Sequence, residues 1–223
     1  MARLPFITFE GSEGCGKSTQ VRRLAKRLEK LGLPFLVTRE PGGTAIGESI
    51  RELLQFAPES ASMTAETELL LFEASRAQLV REVIKPALSG TECVIADRFF
   101  DSTTVYQGVA RKLDPKIVEQ FNVFAIGDCI PDVTFVLDVD LRTARARISA
   151  PRRPDRMEMQ SEEFYKLVCE GYRELAKRET KRIVLINGTK SADSIETEIW
   201  NILGERFPAL ARYPQSAIRN PKS

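Results

Sequence analysis

The chain has 223 residues, 43% of them hydrophobic and 29% charged, enough apolar material for one packed α/β domain and too little for a second independent one. Lys and Arg total 33 against 31 acidic residues, a net charge of +2, so the strong positive bias of a dedicated nucleic-acid binder is missing. With no histidine and no CxxC pair among Cys15, Cys93, Cys129 and Cys169, a transition-metal centre is disfavoured and a reducing, cytoplasmic setting is expected.

The N-terminal MARLPFITFEG is too short an apolar run for a signal segment or a membrane span. It opens the first of five strand-length runs: PFITFE at 5–10, PFLVTRE at 34–40, ECVIADR at 92–98, DVTFVLDV at 132–139 and RIVLING at 182–188. Most are rich in Val, Ile and Phe, as parallel strands covered on both faces should be. After the first run, Val21, Leu24, Ala25, Leu28 and Leu31 fall at helical spacing, and Gly32 with Pro34 ends that helix. A long helical pattern covers about 64–88, with Thr64 as N-cap and Glu66 and Glu68 in its first turn. Asp114 before Pro115, and Ser161 before Glu162 and Glu163, open two more helices; a last one covers about 193–206. The alternation implies a doubly wound α/β fold, with a parallel sheet flanked by helices on both faces. Two segments fall outside it: ISAPRRPDR at 148–156, and a polar tail over 211–223 expected to be flexible. The expected organisation is one domain over 1–210 carrying a lid at about 148–158.

GSEGCGKS, residues 11–18, satisfies GxxxxGK[ST] and sits between an apolar strand and an amphipathic helix, where a phosphate-binding loop belongs. Gly11, Gly14 and Gly16 let successive N–H groups turn inward, and the helix N-terminus that follows favours an anion. The nucleotide would lie along Gly11, Ser12, Glu13, Gly14, Cys15, Gly16, Lys17, Ser18 and Thr19. Lys17 would reach the β and γ phosphates and Ser18 would help hold Mg²⁺. The Cys15 thiol is either a redox group or simply a small tolerated side chain. The DxxG and NKxD patterns of GTP switches do not occur, which leaves a small-molecule kinase as the economical reading. A kinase for another acceptor and a nucleotide-binding regulator without turnover are its rivals.

Three further segments bear on the acceptor: REPGGT at 39–44, LLFEASRAQ at 70–78 and DRFFDSTTVYQG at 97–108. Phe72 and Arg76 are four apart on one helix face; they suit a planar base with carbonyl edges, or equally a core ring beside a solvated charge. Asp97 ends an apolar strand, the place for a carboxylate acting on magnesium or for a structural salt bridge.

With the phosphate loop and these three segments in this order and spacing, over about residues 5–200, the chain resembles the thymidylate kinase family. The resemblance implies a P-loop NTPase fold of nucleoside monophosphate kinase type with a five-stranded parallel sheet, and a homodimer. It also implies ATP, Mg²⁺ and conversion of dTMP to dTDP in dTTP biosynthesis. It assigns Phe72 to stacking on thymine, Arg76 to the carbonyl edge of the base and Thr103 to a hydrogen bond with it. Tyr106 would crowd the sugar's 2′ position, Gln107 would lie beside the base, and Arg98 would bind the acceptor phosphate. Glu13 would sit near the 3′-hydroxyl, and Arg39 would close over the acceptor. The lid, with Arg152, Arg153 and Arg156, resembles the bacterial kind, and Arg156 in the DRME run is the first choice to join Lys17 and Arg98 in catalysis; a solvated basic loop is the other reading. Two positions depart from the family: Phe99 stands where Tyr or His is usual after DR, which removes any polar contact from that ring, and Ser75 stands where Asp is common.

Overall fold

The computed structural model describes residues 3–147 and 156–211. In chain order the first half contains β1 (Phe6–Glu10), α1 (Lys17–Lys30), β2 (Phe35–Arg39), α2 (Ala45–Gln55), a 3₁₀ turn (Pro58–Ser62), α3 (Ala65–Leu79), α4 (Lys85–Ser89) and β3 (Cys93–Asp97). The second half contains α5 (Phe100–Thr103), α6 (Pro115–Ile126), β4 (Val133–Asp138), α7 (Leu141–Arg147), α8 (Glu162–Arg178), β5 (Ile183–Asn187), α9 (Ala192–Arg206) and α10 (Pro208–Ala211). The five strands lie in the order β2-β3-β1-β4-β5, and every pairing is parallel. β1 is central, with Ile7 opposite both Ile95 and Val133. It is buried along its whole length, Thr8 and Glu10 included, as a central parallel strand covered on both faces should be.

Alternate residues of the central strands feed opposite cores. Ile7, Phe9, Ile95 and Phe135 pack with Leu24 and Leu28 of α1 and Ile199 of α9. On the other face Phe6, Val94 and Phe99 meet Leu79, Val80 and Ile84, while Val136 packs with Val105, Phe164 and Val168. The predicted helix starts hold: Thr64, Asp114 and Ser161 accept from the backbone N–H groups of Thr67, Lys116 and Phe164. The pattern over 64–88 is α3 and α4 joined by a π segment, Val80–Ile84. Pro86 lies just beyond it; a wider turn absorbs the missing N–H and the ring. Within DRFFDSTTVYQG, α5 runs into a second π segment, Thr104–Ala110. The predicted tail beyond residue 211, and residues 148–155 of the predicted lid, lie outside the described residues.

Beneath the sheet's carboxyl edge, the fully buried Asp101 is held by Arg182 from the turn before β5, with NH1 to Oδ2 at 2.6 Å and NH2 to Oδ1 at 2.8 Å. Removing one partner of such a pair leaves a buried charge with no counterion. Arg182→Ala should therefore lower unfolding stability by about 3–5 kcal/mol, read from urea denaturation.

Candidate functional site

The carboxyl ends of β1, β2 and β3 open into a cleft of about 550 Å³, the crevice where ligands bind in open parallel sheets. Its donor end is the loop between β1 and α1. Gly11 has φ +133°, and a Cβ there would stand 2.6 Å from the Leu137 carbonyl oxygen, so only glycine fits. Gly16, at φ +103°, precedes the first turn of α1. Lys17 is buried, its Nζ donating to the carbonyls of Gly11 at 3.1 Å and Ser12 at 2.8 Å. Cys15 lies buried with its Sγ 3.6 Å from that ammonium; a thiol without exposure suits the packing role better than a redox one. Ser18 Oγ donates to Asp97 Oδ2 at 2.6 Å, bringing the end of β3 to the start of α1. Asp97 makes no ion pair among the described residues. A hydroxyl and a carboxylate facing the cleft fit a hard divalent cation. No cluster of three His, Cys, Asp or Glu among the described residues could cage one alone, so phosphate and water oxygens would complete its shell.

The acceptor end is built on α2, α3 and the segment after β3. Phe72 is half-buried and lines the cleft, as do Thr103, Tyr106 and Gln107. Arg76 is not a solvated charge: it is 1% exposed. Its Nε donates to Glu40 Oε2 at 2.8 Å, and its NH1 donates to Thr103 Oγ1 at 2.9 Å and to Glu73 Oε1. It thus lies behind the pocket wall, tied to Thr103, which lines the cleft. Burial pushes the Glu40 carboxyl up to about 7 against the pull of Arg76. The REPGGT turn is held by Glu48, which accepts from the Gly43 N–H and from Arg39 NH2, both at 2.8 Å; the Gly43 bond is the main reason its carboxyl is lowered. The two departures have local explanations. Ser75 Oγ accepts from the Gly42 N–H at 3.1 Å, so this position clasps the turn without an ion pair. Phe99 is fully buried, edge-on to Phe6 at 5.0 Å.

Arg98 joins the two ends. It adopts φ +73°, unusual for a residue with a Cβ, and its NH1 donates to the Gly11 carbonyl at 2.9 Å while its NH2 donates to Glu13 and to Tyr106 Oη. The Tyr106 ring lies 5.1 Å from the guanidinium carbon. Arg156 is buried elsewhere: Nε donates to the Leu54 carbonyl at 2.9 Å, and NH2 stands 2.6 Å from Glu68 Oε2 as an ion pair without hydrogen-bond alignment. Glu68 also accepts from Gln107 Nε2 at 2.7 Å and from Arg111. Arg152 and Arg153 lie outside the described residues. Sequence reasoning did not single out Glu40, Arg51 or Arg147, which also line the cleft. Glu40 was inside a quoted motif; Arg51 and Arg147 stand on α2 and α7, whose mixed compositions carried no site signal. Lys17, Arg39, Arg51, Arg98 and Arg147 face Glu13, Glu40 and Asp97 there, an excess of positive charge suited to bound phosphates.

A phosphate-binding loop on the central strand, sharing one cleft with an aromatic and arginine-lined second pocket, defines a P-loop phosphotransferase of nucleoside monophosphate kinase type. A sequence model of the family "Thymidylate kinase" matches residues 9–199. Thymidylate kinase of Kosmotoga olearia is 46% identical over 194 residues, covering 87% of this chain and 92% of that protein. Thymidylate kinase of Geobacter sulfurreducens is 45% identical over 209 residues, with 91% and 98% covered. The crystal structure of thymidylate kinase from Ehrlichia chaffeensis superposes with a TM-score of 0.73 at 34% identity, covering 91% of this chain and 99% of that one. The chain belongs to the thymidylate kinase family.

Because the folded-state carboxyl of Glu40 titrates near 7 rather than at the ordinary 4.5, the folded chain holds a proton in that window which the unfolded chain has lost. Its contribution to stability therefore falls as pH rises through the window. Glu40→Gln removes this slope, so the stability of wild type minus variant should fall with rising pH by up to about 1.4 kcal/mol per unit. Urea denaturation of both proteins between about pH 5 and 8 measures it.

Proposed function

We propose that this chain transfers the γ-phosphoryl group of ATP to dTMP, giving ADP and dTDP, with Mg²⁺ as cofactor. One observation carries the reading: Lys17, Arg98 and the wall formed by Phe72, Thr103 and Tyr106 line a single cleft, so donor and acceptor phosphates can meet end to end. Thymine stacks on Phe72, with Thr103 on its polar edge, Arg76 acting on that edge from behind through Thr103, and Gln107 beside it; Tyr106 closes the space at the sugar's 2′ position. The acceptor is a phosphate monoester with a second pKa of about 6, already anionic near neutral pH, so the absence of histidine is no obstacle. The chain's task is to align two repelling anions and to hold positive charge where the phosphoryl group moves. Lys17 does so from the donor side by exchanging its loop carbonyls for phosphate oxygens. Arg98 does so from the acceptor side, where the dTMP phosphate takes the place of Glu13; the freed carboxylate then faces the 3′-hydroxyl. Arg39 covers the acceptor. Mg²⁺, held at Ser18 and Asp97, supplies further positive charge to the donor phosphates. Arg152, Arg153 and Arg156 complete the charge from the lid, Arg156 by exchanging Glu68 for a phosphate oxygen.

The working form is a homodimer of one kinase domain spanning 1–210. Ile46 and Leu53 of α2, Leu70 of α3 and Ile117 and Phe124 of α6 are exposed, Phe124 by 75%. Such an apolar set on neighbouring helices fits a self-complementary interface. No helix among the described residues is long and apolar enough to cross a membrane, and the four cysteines are unpaired, which supports a cytoplasmic setting.

ADP formation with Mg²⁺ should be fastest with dTMP in a panel with dUMP, UMP, CMP, AMP, GMP and thymidine. A preference for another acceptor would overturn the pocket assignment, and ATP binding without transfer would overturn the kinase reading. Arg98→Ala should lower kcat/KM for dTMP by at least about 100-fold. Phe72→Ala should raise the KM for dTMP about 5- to 100-fold through lost stacking, with kcat little changed. Sedimentation equilibrium should give twice the chain mass, reduced to the monomer by Phe124→Glu.

A further inference from the structure

We infer that Glu10 is a positioning residue for the proposed transfer: its buried carboxylate orients the hydroxyls of Ser102 and Tyr172 so that their lone pairs face Arg98. The inference rests on the reading of Arg98 as the acceptor-phosphate ligand.

Glu10 is the last residue of β1 and has no exposed surface. One carboxylate oxygen, Oε1, accepts from the backbone N–H groups of Phe99 at 2.8 Å and Ser102 at 3.2 Å. The other, Oε2, accepts from Ser102 Oγ at 2.6 Å and Tyr172 Oη at 2.7 Å. A hydroxyl has one proton to give. Ser102 Oγ and Tyr172 Oη lie 3.0 Å apart, and a charged acceptor outcompetes a neutral one for those protons. With both protons turned toward Glu10, the oxygen lone pairs are left for Arg98 NH1, which stands 3.1 Å from Ser102 Oγ and 3.4 Å from Tyr172 Oη. The carboxylate itself is 4.0 Å from that nitrogen. It therefore acts on the arginine chiefly through the two hydroxyls, while its grip on the Phe99 and Ser102 N–H groups holds the turn that gives Arg98 its left-handed backbone.

Four hydrogen bonds and the nearby Arg98 hold the carboxylate in place against its burial. Asp101, whose charge opposes that of Glu10, is bound to Arg182. Burial raises the Glu10 carboxyl above the ordinary range, and Arg98, Ser102 and Tyr172 pull it back. Tyr172 is 2% exposed and packs edge-on to Tyr106 at 6.3 Å, so loss of its hydroxyl alone leaves the ring in place.

Tyr172→Phe and Ser102→Ala should each lower kcat/KM for dTMP by about 3- to 10-fold, a hydrogen bond's worth of stabilisation, with the KM for ATP unchanged. Glu10→Gln keeps the shape but presents an amide N–H₂ either to the two backbone N–H groups or to the two hydroxyls. It should lower the same constant by about 10- to 100-fold, the scale of a charged hydrogen bond. The decisive comparison is Glu10→Gln in the Ser102→Ala/Tyr172→Phe background, where a relay makes the further loss at least about 3-fold smaller than in wild type, the remainder coming from the turn it also holds. A carboxylate that only clamps the turn would cause the same loss in both backgrounds and overturn the inference. If Glu10→Gln does not fold, the double variant decides alone: wild-type kcat/KM in a protein of unchanged Tm would overturn the relay, and a loss would support it. Failure of the underlying reading looks different, since Arg98→Ala would then retain wild-type kcat/KM for dTMP.

Discussion

A site for two polyanions must be cationic, and cations that are also buried must be neutralised by carboxylates brought into the same dry space. The floor of this cleft is arranged around that requirement. Arg76 is held by Glu40 and Glu73, Arg98 by Glu13 with Glu10 nearby, and Arg111 and Arg156 by Glu68. In the driest of them, those of Arg76 and Arg156, a charge that bulk water would weaken stays strong because water is kept away. The same exclusion makes those pairs costly to break, so these arginines are rigid supports.

Those pairs also tie distant segments together. Glu40 follows β2, Arg76 belongs to α3 and Thr103 to the segment after β3, and one guanidinium contacts all of them. Arg98 reaches back to the Gly11 carbonyl, so the donor loop and the acceptor wall share a side chain. The acceptor pocket is therefore a consequence of strand order: placing β3 between β2 and β1 brings REPGGT and the DR segment beside the phosphate loop. In-line transfer needs that proximity more than it needs any reactive side chain.

The strands and most helix starts were legible because their causes are local. An apolar run of strand length, or Asp before Pro, acts within a few residues of itself. α2, α7 and the π segments escaped: α2 carries Ile46, Ile50, Leu53 and Leu54 at helical spacing but was passed over beside the REPGGT motif, and a π turn follows from how a helix must pass Pro86 or the cleft. Phe72 and Arg76 were ambiguous at four-residue spacing, and only packing decided that the ring faces the cleft while the arginine lies behind it. Ser75 illustrates the opposite limit. A missing Asp looked like a lost interaction, whereas its hydroxyl bonds the Gly42 N–H, because a backbone partner requires no charge.

By itself, then, the sequence determined the parallel α/β class, the phosphate loop with Lys17 and Ser18, and the motifs through which the chain resembles its family, since each rests on contiguous residues whose spacing states the chemistry. Tertiary structure alone decided how Glu10, Glu40, Glu68 and Asp101 are used. A carboxylate is read from sequence as solvated, and only the fold can bury it and choose its arginine, because counterions are selected by proximity in space and not along the chain.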